Sequence, residues 1–354
     1  MKKSILFKIL PAILPVLSII LLLTSVFVLV PIARAETVAE TVHLKNSRAY
    51  IQRLAFGYND DNTCTAVAVG IALNYMDGQI NKNLIPKEYK SESLTTNNVK
   101  DGYSQANSFH KYLANECGLV AASFSNMVVN GLTEYCIRNE NAANMELRVS
   151  VSLYKTVGMK HIKEQIDKGM PVMITTTTNA GKYNFHTMVV YGYRKNADES
   201  YEILIHTGWD GENEIFKGND GKYSSKGKWI SSSVATWVYT FSYNDKPMKS
   251  SEPKLKGQQG NGGIKLTWQK IEGAEYYIIH RSTDNGKNYS QIAVTQTAVT
   301  AYTDSDNTVK KGTECVYKIK AAKKVTFQYY ESGKSVPKTT EITTKDSNTV
   351  KVKK

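Results

Sequence analysis

The chain opens on an apolar run: residues 9–33 carry no polar side chain other than Ser18, Thr24 and Ser25. Beyond it the pattern switches between a helical and an extended period. The run from Cys64 through Ala66, Val67, Ala68, Val69, Ile71, Ala72 and Leu73 to Tyr75 is apolar almost all round and predicts a buried helix. Segments 104–117 and 160–168 repeat apolar positions three and four residues apart, so the region from Cys64 to about Lys168 reads as mostly helical. Runs rich in β-branched and aromatic residues follow at Pro171–Thr176, Thr187–Arg194, Tyr201–His206 and Trp237–Tyr243, and predict strands. Helices first and an antiparallel sheet afterwards is the order of an α+β domain with two lobes.

The pattern changes after Tyr243. Residues 244–254 are mostly polar with two prolines, Pro247 and Pro253, and read as a linker. Beyond them, Ile264–Trp268, Ala274–Arg281, Ser290–Val294 and Tyr317–Ala321 alternate apolar and polar residues. Turns such as Asp284-Asn285-Gly286 and Lys311-Gly312 separate them, which predicts an all-β sandwich. The expected organisation is a leader over 1–35, an α+β domain over 36–246, and a linker with a β-sandwich over 247–354.

The leader has a basic start, Met1-Lys2-Lys3, and a small-x-small site, Ala33-Arg34-Ala35. It is expected to be a cleaved signal peptide, with an uncleaved membrane anchor as the rival, because the apolar stretch is long enough to span a bilayer. The mature protein is then secreted or held at the cell surface, with no membrane contact after cleavage. Residues 36–253 carry 23 Lys+Arg against 23 Asp+Glu, whereas residues 254–354 carry 18 against 9. The basic character therefore belongs to the second domain. An anionic cell-wall polymer or glycan is a candidate partner for it, and solvated lysines on strand faces are the alternative. No aromatic-basic motif points to nucleic acid.

Four cysteines are too few to staple a chain this long. Cys117 and Cys136 are the plausible pair, and Cys315 lies in an alternating stretch as a core residue. Cys64 differs, because it heads a helix. A thiol there is stabilised as the anion by the helix dipole, and a nearby imidazole would complete a nucleophile and its base. His186 heads a predicted strand and is the candidate. His43, His110 and His161 have no such context and are expected at the surface or at caps. No spacing suggests a metal site or a cofactor.

Several motifs then combine. Cys64-Thr65-Ala66-Val67-Ala68 with Tyr75, the helix-to-strand step Ile162…Ile166…Gly169…Pro171-Val172, the strand His186…Val189-Val190…Gly192-Tyr193, and Gly208-Trp209-Asp210-Gly211 occur in this order. Together they resemble a papain-like cysteine peptidase, nearest to the streptopain group and to the peptidase domains of bacteriocin exporters. The resemblance implies Cys64 as nucleophile, His186 as general base, and a peptide or protein substrate. The position of the third residue, Asn or Asp in those families, is occupied by His206, with Asp210 as the fallback. Tyr58 stands where many papain-like enzymes have Gln, so Asn59 or Asn62 is expected to support the oxyanion, and Trp209 to shield the imidazole. The segment Ile264–Ala321 resembles a fibronectin type III domain, with Trp268 and Tyr317 at its characteristic positions, and such modules are spacers or binding platforms. Two other readings stay open: a cell-wall amidase on a related fold, and a binding protein that keeps the fold without the activity.

Overall fold

The computed structural model describes residues 40–47, 63–81, 83–89, 109–120, 125–178, 180–208, 215–217, 223–225, 227–296 and 299–354. The leader therefore lies outside the described residues. The expected buried helix is α1 (Cys64–Gln79), and 13 of its residues are buried, as its all-round apolar pattern requires. Around it stand α2 (Phe109–Cys117), α3 (Ser125–Arg138) and the short α4 (Glu140–Asn144), which Asn139 caps by accepting from Asn141 and Ala142 N–H.

The helical region is interrupted, which corrects the sequence reading. Arg148-Val-Ser-Val-Ser-Leu153 forms strand β2, and its period of two was legible in the sequence. The next helix, α5 (Tyr154–Asp167), begins earlier than expected and is kinked at Gly158. The sheet then gathers β3 (Val172–Thr175), β4 (Thr187–Lys195), β5 (Tyr201–His206), β8 (Lys228–Ser231) and β9 (Trp237–Ser242). Its order is β2-β9-β3-β4-β5-β8, and β1 (Glu40–His43) adds to β4. All of its ladders are antiparallel. A separate two-stranded ribbon joins β6 (Ile215–Lys217) to β7 (Tyr223–Ser225). Helix α1 packs on β3 and β4, so the core of the α+β domain lies between that helix and the sheet.

The second domain is the expected sandwich. One sheet is β10 (Leu255–Gly260), β11 (Gly263–Trp268) and β14 (Ala301–Asp304). The other joins β13 (Ser290–Val294), β12 (Tyr276–Ser282) and β15 (Glu314–Glu331), and β15 pairs with both β16 (Lys334–Thr343) and β17 (Val350–Lys353). Trp268 packs against Tyr277 at 5.1 Å between ring centroids. Tyr317 donates to Asp304 at 2.7 Å, and Arg281 closes a buried ion pair with the same carboxylate at 2.9 Å. This is the fibronectin type III-like architecture that the sequence suggested.

The junction between the domains is held by hydrogen bonds of its own. The linker is pinned: Met248 is buried, its N–H donates to Asn144 Oδ1 and its carbonyl accepts from Asn144 Nδ2. The module is also more than a tethered spacer. The β15–β16 hairpin runs on over α3 and β2 of the first domain, where Asn130 exchanges two hydrogen bonds with the Tyr330 main chain, at 2.8 and 2.7 Å.

Candidate active site

Cys64 is the first residue of α1, and Thr63 before it accepts the first intrahelical bond, from Val67 N–H at 2.9 Å. The amide groups of a first helical turn have no carbonyl of their own helix to donate to, and they favour negative charge. Cys64 is the one cysteine of the four that begins a helix. The thiol of Cys117 is pushed up to about 12, and that of Cys136 further still, both mainly by burial. No disulfide joins any of the four, so the plausible Cys117–Cys136 pair is not formed.

His186 immediately precedes β4 and is buried. Its main chain is held by Thr176: Thr176 N–H donates to the His186 carbonyl at 2.9 Å, and His186 N–H donates to Thr176 Oγ1 at 3.3 Å. Its ring Nε2 lies 2.6 Å from the carbonyl of Thr207. A carbonyl can only accept, so Nε2 carries the proton and Nδ1 of the neutral ring is left as the basic nitrogen.

The helix and the strand are joined next to these two residues. Thr65, which follows Cys64, meets Thr187, which follows His186, with their hydroxyls 3.2 Å apart. Thr187 continues to Thr175 at 2.9 Å, and Thr175 donates to the Tyr239 hydroxyl at 3.3 Å. All these residues are buried. Burial pushes the Tyr239 pKa up, and the bond from Thr175 opposes it. One turn along α1, Val67 comes so near the chain after Thr207 that a Cβ on Gly208 would stand 3.1 Å from its Cγ1. Gly208 also has a φ of +74°, which glycine adopts without strain.

The predicted site residues divide accordingly. Cys64 and His186 head elements that pack together, as expected. His206 ends β5 and is wholly buried, but its ring does not meet His186. Its Nδ1 accepts from Gly208 N–H at 3.1 Å, and its Nε2 has no hydrogen-bond partner among the described residues. Among the described residues the His186 ring meets the main chain one residue later, at the Thr207 carbonyl. Asn59, Asn62, Trp209 and Asp210 lie outside the described residues. His110, expected at the surface, is buried in α2, whereas His43 is exposed on β1 with its ring against Trp229.

Sequence reasoning missed Thr65, Thr175, Thr187, Thr207 and Tyr239. The available signal was a hydroxyl set inside an otherwise apolar run, since a buried hydroxyl needs a partner.

Comparison with known proteins covers both domains. Residues 45–232, more than half of the chain, match the Peptidase_C39 like family. Comparison with curated proteins found no match. Among solved structures, an Fn3-like protein from Clostridium thermocellum is similar at 26% identity, over 29% of this chain and 91% of that chain, with a TM-score of 0.21. Pectate lyase PelI from Erwinia chrysanthemi, in complex with tetragalacturonic acid, is similar at 20% identity over 28% of each chain, with a TM-score of 0.20. The chicken CNTN1 FN1-FN3 domains are similar at 13% identity over 44% of this chain and 61% of that chain, with a TM-score of 0.23. The matched segment begins before the thiol-bearing helix and ends beyond the histidine strand, and the chain belongs to the Peptidase_C39 like family.

Proposed function

We propose that this chain is an exported cysteine peptidase in which Cys64 and His186 act as one unit. The observation that supports this most is the Thr65–Thr187 contact, which ties the residue after the thiol to the residue after the imidazole. His186 Nδ1 takes the thiol proton, and the thiolate attacks the carbonyl carbon of the scissile peptide bond. The oxyanion that forms is met by amide groups at the head of α1. The imidazolium returns its proton to the leaving amine as the carbon–nitrogen bond breaks, which leaves an acyl-enzyme thioester. Water, deprotonated by the same imidazole, hydrolyses the thioester and restores the thiol. The Thr207 carbonyl keeps the ring in the required tautomer and orientation throughout, a role that a third side chain has in related arrangements.

The test is hydrolysis of casein and of quenched-fluorescence peptides by the purified protein. Cys64→Ala and His186→Ala should each lower kcat/KM by about 10³-fold or more, and the double variant should lose little beyond either single one. A Cys64→Ala variant that cleaves at the parent rate removes the assignment. Export rests on the leader, and N-terminal sequencing of the protein from culture medium should begin at Glu36. The basic second domain suits an anionic cell-wall polymer. Sedimentation of the full chain with cell walls should then weaken steeply from 0.1 to 1 M salt, as the screening length shrinks from about 10 to about 3 Å. Sedimentation indifferent to salt would leave the lysines as solvated strand faces.

A further inference from the structure

Phe185 has two features that the fold does not account for. Its side chain is 56% exposed, although it is a large apolar group. Its φ is +53°, in the left-handed region where a bulky side chain is strained and glycine or asparagine fits. The residue closes the loop between β3 and β4, where its N–H donates to the Thr177 carbonyl at 3.1 Å. A strained backbone and an exposed aromatic ring both cost stability, and this ring gains little burial in return. Neighbouring loop residues do serve the fold: Asn184 accepts from Ala180 N–H at 2.8 Å, and Tyr183 is buried.

Position explains the exception. Phe185 is peptide-bonded to His186, and on the peptidase reading, on which this inference rests, His186 hands its proton to the departing amine. An exposed side chain one residue from that ring is therefore the nearest candidate to touch the departing segment, on the carboxyl-terminal side of the cut. We infer that Phe185 is the substrate contact for the first residue after the scissile bond and that it favours an apolar side chain there. The left-handed backbone leaves the ring exposed beside the residue that carries the base, from where it would cover that side chain and exclude water from it.

The experiment uses the full chain and quenched peptides that differ only in the residue after the scissile bond: Leu, Phe, Gly or Asp. The parent should prefer Leu and Phe over Gly and Asp by about tenfold or more in kcat/KM. Phe185→Asn should lower that selectivity ratio about tenfold, and Phe185→Leu should retain most of it. Phe185→Asn should also melt at or above the parent temperature, because the strain is relieved and little packing is lost. Selectivity unchanged in Phe185→Asn, or an Asn variant that melts well below the parent, overturns the inference while Cys64-dependent cleavage stands. A parent that cleaves none of the peptides overturns the peptidase reading and this inference together.

Discussion

Burial lowers the pKa of His206 from an ordinary 6.5 to about 4. Above pH 6.5 the ring is neutral in both the folded and the unfolded chain and adds no pH dependence. As pH falls from 6.5 towards 4 the unfolded chain takes up a proton that the folded one refuses, so stability declines with pH across that window. The full loss, complete below the folded value, is about 3 kcal/mol. Urea denaturation at pH 7 and pH 4.5 should show a smaller drop for His206→Asn than for the parent, and equal drops would contradict the assignment. Turnover in His206→Asn should stay within about tenfold of the parent, since the Thr207 carbonyl, and not this ring, holds His186. The identity of both heading residues was legible here: a thiol at the start of an apolar helix and an imidazole at the start of a strand. The Thr207 carbonyl beside the His186 ring was not legible, because it is a main-chain oxygen.

Strand β4 owes its position to close packing on both edges. His43 of β1 is the Cα partner of Gly192, and a Cβ on Gly192 would stand 2.8 Å from the Val42 carbonyl oxygen and 3.3 Å from Leu204 Cβ. Gly192→Ala should therefore push β1 away and cost about 1–3 kcal/mol, read as a lower urea midpoint with the slope preserved. A variant as stable as the parent would mean that β1 shifts freely. The glycine stood out in the histidine-strand motif, but β1 did not. Its four residues are too few to show a period, and they reach β4 only across a long separation in sequence. By contrast β2 alternates plainly in sequence, but its place among helices masks it.

The two domains form one packed unit rather than beads on a string. Phe327 is buried where the β15–β16 hairpin lies over α3 and β2, beside a cavity of about 90 Å³ lined by Val129, Leu132, Leu147 and Val149. The Arg148 guanidinium sits 5.1 Å from its ring centre and donates to the Thr326 carbonyl, and Lys323 donates to the Asn144 carbonyl at 2.7 Å. Several of the basic residues that raise the charge of the second domain are thus engaged within the chain: Lys323 with Glu146, Lys338 with Glu134, and Lys318 with Asp346. Phe327→Ala should destabilise the full chain by about 3–5 kcal/mol. A fragment over residues 36–246 should melt below the first domain of the intact chain, because α3 loses its cover. Equal melting temperatures would show that the hairpin contact contributes nothing to stability.

Local pattern by itself determined which of the longer segments are buried on all sides and which on one. That was enough to give α1, β4, the sandwich strands, and Cys64 and His186 as the residues that head two of these elements, since periodicity records burial along the chain. The tertiary structure alone decided which groups those residues meet. The Thr207 carbonyl on the His186 ring, the hydroxyls linking Thr65 to Tyr239, and the Tyr330 main chain on Asn130 join residues far apart in sequence. Main-chain N–H and C=O groups are nearly the same at every position, so no residue type announces that its backbone will be used. The left-handed turn at Phe185 is hidden for a related reason: its sequence signature is glycine or asparagine, and an aromatic residue stands there instead.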